Sequence, residues 1–520
     1  MRENGEHFDA VVVGSGFGGA INALRLAQAG KSVLVLERGK RYRPADFPRD
    51  VTDVDRLFWR YPHRPAAQGL YDVRFFSGLA AVAASGVGGG SLIYANIHIR
   101  PDSVVFKDPR WPRTINRTAL DPYYDRVAQT LGVAPLPTVA DLPKRNAFQA
   151  VAQRMGREVF DPDQAVSWSD PEEPGREACS FCAECEFGCT HGAKNTLDFT
   201  YLAQAERLGV RVEPGINVSH VEPASDGYRV HYHDLANGSA SSVTGARVVL
   251  SAGTLGTNEI LLRSRDKRRT LPKLSARLGY GFSGNGDFLG NVQEGTHDLR
   301  PWHGTDVTSV MRFFDAAPEF TLAAPTFNRA TMEVLAAQGQ PKLDWLRPLA
   351  PLLWPLMGCL VPWAFGRGLL SQPSRRPARN VADPARMTNL FAIGRDNANG
   401  RLRLKGERLD IEWDYAGENE ALIDRMLAAM REVGAAYGGN FAPLLTWSLF
   451  KRITTVHPLG GCRLSESPET GVVSPRGEVH GYPDLFVADG SVIPAAIGFH
   501  PAMTISAVAE SIAETVVRSF

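Results

Sequence analysis

The fold of this chain is decided by a stretch near its amino terminus, which reads DAVVVGSGFGGAINALRLAQAGKSVLVLE over residues 9–37. The apolar run 10–13 predicts a strand that is buried on both faces. Gly14, Gly16 and Gly19 follow with the spacing G-x-G-x-x-G at the start of a helix. Such glycines allow a tight turn, close approach of a pyrophosphate and close packing of helix on strand.

The end of the same stretch supports this interpretation. Residues 33–36 predict a second strand, and Glu37 stands at its end, where a carboxylate can accept hydrogen bonds from ribose hydroxyls. Phe17 and Gly18 lie inside the turn, where the first N–H groups of the helix face a bound phosphate. We therefore predict a dinucleotide-binding βαβ unit, and the less specific alternative is an ordinary glycine-rich βα turn.

Length and composition exclude several classes of protein. The chain has 520 residues, which favours at least two domains. Its 57 Lys and Arg residues balance 56 Asp and Glu residues, so no nucleic-acid partner is expected. The polar start lacks an apolar signal region, which favours a cytoplasmic protein. Four of the six cysteines are crowded together, and in a reducing compartment such a cluster suggests metal or redox ligands before disulfides.

Strands and helices alternate further along the chain, as in a doubly wound α/β domain. Helices are predicted over 119–131 and 196–208, and strands over 210–212, 228–233 and 247–252, the last leading into Ala252 and Gly253. Residues 38–76 are expected to be irregular. The runs 388–393, 401–404 and 410–413 alternate apolar and polar residues, which predicts an antiparallel sheet with one face in water.

These patterns predict a doubly wound Rossmann-like domain, with an α+β substrate domain inserted into it. The predicted domain boundaries are nucleotide-binding segments at 1–120, 196–290 and 446–520, a connecting segment with the cysteines at 121–195, and the inserted domain at 291–445.

A second glycine loop follows the first unit. It reads SGVGGGSLIYAN over 85–96 and contains Gly86, Gly88, Gly89, Gly90 and Ser91. Crowded glycines bring backbone against a flat or charged group, and a linker is seldom followed at once by Leu-Ile-Tyr. We therefore predict a second contact with the cofactor here.

Two further motifs complete a recognisable set, HPLGGC at 457–462 and DGSVIPAAIGFHPAMTI at 489–505. Together with both glycine loops, they resemble the glucose–methanol–choline family of oxidoreductases, and most closely its bacterial cholesterol-oxidase-like branch. The motifs run in the family's order from residue 9 to about 515. The resemblance implies an FAD-binding domain and the oxidation of an alcohol.

The resemblance also assigns roles to individual residues. His457 is implied to face the flavin, with His500 as the second polar group at the substrate oxygen. The family's sterol oxidases carry Asn at the position of His500, so that this chain is more similar there to the two-histidine sugar and alcohol oxidases; Tyr94 also stands where a sterol oxidase is expected to have Asn. Further cofactor contacts are implied for Asn96, Val218, Ala252, Gly253, Asp489, Gly490, Pro501 and Met503.

The chemistry explains why histidine suits these two positions. Alcohol oxidation removes the hydroxyl proton while hydride leaves the carbinol carbon for flavin N5. A neutral imidazole, with an ordinary pKa of about 6.5, can accept that proton. A second imidazole can fix the oxygen in place, which lowers the barrier. We expect His457 to be the base and His500 to orient the substrate, and the opposite assignment stays open.

The cysteine run Cys179, Cys182, Cys185 and Cys189 has the C-x2-C-x2-C-x3-C spacing of bacterial ferredoxins. It predicts an iron–sulfur cluster as one alternative, which in similar sugar dehydrogenases passes electrons from FAD. A tetrahedral zinc site and a metal-free loop beside the flavin are the others. Cys359 and Cys462 are expected to be buried thiols.

An uncharged apolar stretch with three prolines occupies 349–365. It is short for a membrane-spanning helix, which needs about 20 residues. It is either a core segment or an apolar flap that touches a membrane beside the active site.

The sequence therefore predicts an FAD-dependent oxidase or dehydrogenase for a bulky apolar ring alcohol such as a 3β-hydroxysteroid. The electron acceptor is O2 or a separate carrier. The alternatives are a sugar dehydrogenase with an iron–sulfur cluster, and a non-redox enzyme similar to the hydroxynitrile lyases of this fold. A membrane-surface or electron-transfer module without an alcohol site is a third.

Overall fold

The predicted βαβ unit is present. A computed structural model describes residues 6–49, 53–61, 64–138, 141–338, 344–366 and 382–520. The strand His7–Val13 leads into the helix Phe17–Gln28 and then into the parallel strand Val33–Leu36. Residues 10–13 and 33–36 are all buried, as continuous apolar runs predict.

A seven-stranded sheet is built around this unit. Six of its strands lie in the spatial order Arg211–Glu213, Val33–Leu36, His7–Val13, Ala240–Leu250, Gly227–Asp234 and Ile216–Ala224. The seventh, Leu485–Val487, pairs in parallel with the end of Ala240–Leu250. The chain therefore returns to this sheet close to its carboxyl terminus, which agrees with a doubly wound domain that contains an insertion.

A six-stranded antiparallel sheet forms the core of the second region. Its spatial order is Asn440–Pro443, Phe288–Gln293, Thr388–Gly394, Phe320–Ala323, Val310–Phe313 and Val159–Phe160. The prediction that one face of this sheet lies in water is wrong here, because every residue of Thr388–Gly394 is buried. The helix Glu420–Ala436 packs against this sheet and covers what would otherwise be a solvent-facing surface.

The predicted alternation holds in a separate three-stranded sheet made of Tyr280–Phe282, Gly400–Lys405 and Arg408–Glu412. Within Gly400–Lys405, Leu402 is buried between the exposed residues Arg401 and Arg403. Residues 38–76, expected to be irregular, contain short strands. The remaining strands are Trp59–Tyr61, Arg64–Gln68, Tyr71–Phe75, Ala80–Ala84, Ile97–His98, Asp163–Gln164 and Thr454–Thr455.

The helices cover these sheets. Besides those already given, they are Val54–Leu57, Arg117–Leu131, Pro143–Arg154, Tyr201–Arg207, Gly253–Leu262, Arg329–Gln338, Ala350–Leu353, Met357–Gly366, Tyr415–Glu418, Leu445–Ser448 and Ala502–Arg518. The predicted helix 196–208 is helical only over its second half. None of the described helices is long and apolar enough to span a bilayer. The division into domains at the boundaries given above stays a prediction.

The closing helix Ala502–Arg518 lies against Phe17–Gln28. Glu510, fully buried on the closing helix, accepts hydrogen bonds from Arg25 at 2.6 and 2.8 Å and from Tyr201 at 2.8 Å. This buried ion pair ties the carboxyl-terminal helix to the helix that follows the first glycine turn.

Candidate active site

The glycines of the first turn are required by close backbone contacts. A Cβ on Gly14, whose φ is +94°, would lie 2.3 Å from the carbonyl oxygen of Ser251. On Gly18 it would lie 1.4 Å from the carbonyl oxygen of Ala488, and on Gly19 1.9 Å from that of Gly14. The strands that end just before Gly14, Ser251 and Ala488 therefore converge at this turn, at the edge of the sheet where their carboxyl ends meet.

The helix that begins at this turn is open to an anion. Gly16 is its N-cap, so no side chain caps the first N–H groups, and the first turn has no acidic residue. Unpaired N–H groups and the positive end of the helix dipole attract phosphate. The turn thus has the geometry and the polarity of a pyrophosphate site.

The second glycine loop packs directly on the first. A Cβ on Gly89 would lie 2.6 Å from the Cα of Gly16. Ser91 supports the loop from behind, because its hydroxyl donates to Gly88 O at 2.7 Å and accepts from Leu197 N at 3.0 Å. The two loops thus form one continuous glycine-lined wall.

Glu37 lies beside this wall and is 6% exposed. Its carboxylate accepts hydrogen bonds from the backbone and hydroxyl of Ser15, at 3.0 and 2.7 Å, and from Gly39 N at 2.8 Å. The carboxylate therefore fixes the first glycine turn and also lines the cavity, where it can meet a ribose.

One cavity of about 1010 Å³ collects most of the predicted site residues. Its walls include Gly14, Gly16, Phe17, Gly18, Glu37, Gly89, Gly90, Tyr94, Val218, Ala252, Gly253, His457, Asp489, Gly490, His500 and Pro501. The predicted cofactor residues that do not line it are Gly19, Gly86, Gly88, Ser91, Asn96 and Met503. For Gly19 and Ser91 the contacts above show a packing role.

Asn96 and Met503 do not line this cavity. Asn96 has a φ of +64° and borders a small void beside the cysteine loop, and neither polar atom of its side chain has a hydrogen-bond partner among the described residues. Met503 lies with its sulfur 3.4 Å from Nδ1 of the buried His98. The predicted contacts of these two residues with the cofactor stay predictions.

The two predicted catalytic histidines come together at the cavity. The ring centroids of His457 and His500 are 5.4 Å apart, with an angle of 77° between the ring planes. Phe391 packs against both, stacked on His457 at 5.5 Å and edge-on to His500 at 6.0 Å. The sequence did not single out Phe391, because it stands in an ordinary apolar strand.

His457 is held by a buried carboxylate that sequence reasoning missed. Its Nδ1 lies 2.9 Å from Oδ1 of Asp287, which has no exposed side-chain surface. Oδ2 of Asp287 accepts from Thr455 Oγ1 at 3.0 Å and from the backbone N–H groups of Val456 and His457 at 2.8 and 3.0 Å. Because an ionised carboxylate only accepts, Nδ1 carries the proton and Nε2 is left as an acceptor.

His500 has the opposite environment. It is 5% exposed, and neither ring nitrogen has a hydrogen-bond partner within the described part of the chain. Burial lowers the pKa of His500 well below its usual value, and the neighbouring His457 lowers it further. The ring is therefore neutral near pH 7, with one donor and one acceptor free for a ligand.

The family follows from comparison with known proteins. Two models, both described as GMC oxidoreductase, match residues 9–278 and 396–509. The chain belongs to the GMC oxidoreductase family. It is 31% identical to a cholesterol oxidase of Mycobacterium tuberculosis, over 97% of this chain and 90% of the relative. It is 29% identical to a cholesterol oxidase of Acinetobacter baumannii, over 98% and 94%.

More distant similarities agree with this family. A long-chain-alcohol oxidase of Arabidopsis thaliana is 26% identical over 98% of this chain and 67% of the relative. The solved structure of pyridoxine 4-oxidase from Mesorbium loti has a TM-score of 0.65 and 18% identity, with 98% of each chain covered, which shows the fold. This GMC oxidoreductase is thus an FAD-dependent enzyme that acts on CH–OH donors.

The residues present fit FAD. The uncapped helix start and the glycine wall suit its pyrophosphate, and Glu37 suits the adenosine ribose. Asp489 closes the wall near His500; it accepts from Ser491 N at 2.8 Å and from the hydroxyl of Thr257 at 2.5 Å. Burial raises the pKa of Asp489. Val218, Ala252 and Gly253 line the cavity and would complete the site.

The cysteine loop does not form a metal site in the described structure. Cys179, Cys182, Cys185 and Cys189 border a void of about 20 Å³, which is room for about one water molecule rather than a cubane. Burial raises the pKa of Cys179 to about 12. Across the described ranges no group of three or more His, Cys, Asp or Glu residues could hold a metal. The iron–sulfur and zinc alternatives are therefore unsupported.

The other two cysteines differ from each other. Cys462 is fully buried, as expected, whereas Cys359 is partly exposed. Cys359 belongs to the helical segment 344–366, which contains the apolar stretch.

This helical segment exposes large apolar side chains beside the cavity. Those at least 40% exposed are Trp345, Leu349, Leu352, Leu356, Leu360 and Trp363. The segment is anchored by Trp354, which is buried and donates to Phe76 O at 2.7 Å. Phe76 and its neighbour Phe75 line the cavity. The expectation of a core segment is therefore wrong for most of the stretch.

Proposed function

We propose that this enzyme oxidises a bulky, apolar ring alcohol, such as a 3β-hydroxysteroid, to the ketone. The observation that carries this proposal is the pair of converging imidazoles at one cavity, His457 and His500, with His457 held by Asp287.

His457 is suited to be the general base. Its Nε2 has a free lone pair, and Asp287 stabilises the positive charge that the ring acquires on accepting the hydroxyl proton. When bound, FAD supplies the acceptor for the hydride of the carbinol carbon. The proton thus goes to Nε2 of His457, and its positive charge is balanced by a carboxylate that is already in place.

His500 is suited to position the substrate oxygen. Its ring is neutral, rigidly packed against Phe391 and free at both nitrogens. A second contact that fixes the hydroxyl restricts the substrate to geometries from which both the proton and the hydride can leave.

The proposed substrate class rests on the walls and on the relatives. Phe75, Phe76, Val307, Pro325 and Phe391 line the cavity and give it apolar surface. Two of the relatives with the highest identity are cholesterol oxidases, which favours a steroid. Histidine at position 500 differs from the asparagine expected in sterol oxidases, so terpene alcohols and sugars are included in the test beside steroids.

The test is anaerobic addition of 3β-hydroxysteroids, terpene alcohols and sugars to the FAD-loaded enzyme. We expect a steroid to bleach the flavin with formation of one equivalent of ketone. A lyase would turn over its substrate without bleaching, so persistent yellow colour with all alcohols would contradict the proposal. Repeating the assay in air, with and without an artificial electron carrier, decides whether O2 is the acceptor.

We also propose that the helical segment 344–366 rests on a membrane. Its exposed apolar side chains lie next to the residues that line the cavity, so an apolar alcohol could pass between bilayer and site. The sequence that follows, 367–381, has four arginines and no acid, which suits anionic headgroups. A cytoplasmic location, at the inner leaflet, belongs to the same proposal.

A further inference from the structure

A pair of carboxyl groups forms another wall of the same cavity. Glu186 stands in the short turn Cys185–Phe187 of the cysteine loop, and Asp306 precedes the strand Val310–Phe313 of the six-stranded sheet. Both line the cavity. They are far apart in sequence, and the mechanism above uses neither of them.

One carboxyl oxygen of Asp306 accepts no hydrogen bond from an ordinary donor within the described part of the chain. Oδ1 of Asp306 accepts from Thr326 N at 3.3 Å, whereas Oδ2 is buried without a donor among the described groups. The cysteine loop is paired with the segment that carries Asp306, because Ala183 N donates to Gly304 O at 3.1 Å, and this brings Glu186 and Asp306 to the same wall. Glu186 can satisfy the free oxygen only if it carries a proton. Burial, and then the charge of Asp306, raises the pKa of Glu186 well above its usual value, so the pair holds one proton between two carboxyls.

Two buried lysines stand behind the pair. Nζ of Lys144 donates to Ala324 O at 2.6 Å and also to the hydroxyl of Thr326. Nζ of Lys194 donates to the carbonyl oxygens of Leu92, Tyr94 and Cys185, at 3.2, 2.7 and 2.9 Å. Neither lysine lines the cavity, and burial lowers the pKa of both. The three donors of Lys194 are therefore used by backbone carbonyls, and two of the three donors of Lys144 are used as well.

We propose that Glu186 and Asp306 bind a second, neutral hydroxyl group of the substrate, distant in the molecule from the hydroxyl that is oxidised. This inference rests on the function proposed above. A hydroxyl matches the pair because it can accept the proton of Glu186 and donate its own to Asp306 at the same time.

Charge selects a neutral group over an ion at this position. A cationic amine would be repelled by two lysines that lie next to the pair. Lys144 donates to Thr326, whose N–H donates to Asp306, and Lys194 donates to the carbonyl oxygen of the residue before Glu186. An anion would be repelled by the carboxyls themselves. The preferred ligand is therefore a ring alcohol with a second hydroxyl, not an amino or acidic derivative.

Androstan-3β-ol and androstane-3β,17β-diol form a matched pair that tests this, because they differ only in the second hydroxyl. Dissociation constants are measured by calorimetric titration of the FAD-loaded enzyme, and kcat/KM by anaerobic flavin bleaching. We expect the diol to bind about tenfold or more tightly than the mono-ol, as for a hydrogen bond to a charged buried group. In Glu186→Leu this advantage disappears, whereas Glu186→Gln keeps part of it because the amide N–H can still donate to the second hydroxyl.

Glu184→Gln is the control, since Glu184 lies two residues away in the same loop and pairs with Arg49 outside the cavity. It should leave the diol advantage unchanged. Equal binding of both steroids to the wild type, or an advantage that survives in Glu186→Leu, would overturn the inference. So would tighter binding of the 17-amine than of the diol. Binding without bleaching would contradict the proposed function alone, and binding of neither steroid would contradict both.

Discussion

At the scale of single residues, the contact between Asp287 and His457 decides how the site works. The carboxylate has no exposed surface and accepts four hydrogen bonds, all of them from residues 455–457, the segment that carries the histidine. This arrangement fixes both the ring orientation and its tautomer. Loss of the charge of Asp287 should therefore slow proton transfer from the substrate to His457, while the cavity keeps its shape.

Asp287→Asn tests this role. We expect FAD to stay bound and the rate of flavin reduction by substrate to fall about 10²- to 10⁴-fold, the range for loss of an oriented general base. Stopped-flow reduction under anaerobic conditions measures the rate, and the visible flavin spectrum reports the bound cofactor. A rate within a few-fold of the wild type would show that the carboxylate has no part in proton transfer.

His500 predicts a specific pH dependence of stability. Its folded pKa is lowered by burial, so below about pH 6.5 the unfolded chain binds a proton that the folded protein does not. The stability contributed by the neutral His500 ring is fully present above that pH and is lost as the pH falls. His500→Asn lacks this titration. Its free energy of unfolding should therefore rise relative to that of the wild type by about 1.4 kcal/mol for each pH unit in the acid range. Urea unfolding at several pH values measures it, and parallel pH curves for the two proteins would contradict the assignment.

Sequence reasoning found His457 and His500 because each lies in a motif of fixed spacing. It could not find Asp287 or Phe391, because their roles depend on strands that are distant in sequence and come together only in the fold. The cofactor contacts predicted for Asn96 and Met503 stay predictions.

At the scale of elements, the two glycine loops are the part best predicted from sequence. At Gly14, Gly18, Gly19 and Gly89 the residue type is dictated by backbone contacts that a side chain would break, so the signal is local and strong. The exposed face predicted for the larger antiparallel sheet is wrong, because the covering helix Glu420–Ala436 comes from a later part of the chain. Alternation predicted exposure correctly in Gly400–Lys405, where Arg401 and Arg403 are exposed on either side of the buried Leu402.

Two alanine variants should separate packing from cofactor binding in the first loop. Gly18→Ala places a Cβ 1.4 Å from Ala488 O and should destabilise the apoprotein by about 1–3 kcal/mol, as overpacking does. At Gly16 the nearest atom to a Cβ is 3.9 Å away, so Gly16→Ala should change stability by no more than about 1 kcal/mol yet weaken FAD binding. Unfolding of the apoproteins and FAD titration measure the two effects. Equal FAD affinity in Gly16→Ala and the wild type would show that the phosphates do not approach this residue.

At the scale of the whole molecule, the apolar segment beside the cavity links the site to a surface. Leu352 and Leu356 are 71% and 50% exposed, so charged residues there should not disturb the fold. We expect Leu352→Glu with Leu356→Glu to lower binding to anionic liposomes about tenfold or more, since burying a leucine contributes about 1.5–3 kcal/mol. Leu208→Glu is the control, because Leu208 is 54% exposed and lies in another part of the chain. Unchanged liposome binding, or a dimer that dissociates in the double variant, would show that something other than a membrane covers the segment.

The most direct test of the account is a single-turnover measurement on His457→Ala. The FAD-loaded variant and the wild type are mixed anaerobically with the steroid that bleaches the wild type, and the decay of flavin absorbance is followed. The account predicts that FAD stays bound while reduction slows about 10²- to 10⁴-fold. Reduction of the variant at the wild-type rate would contradict the claim that this imidazole accepts the substrate proton.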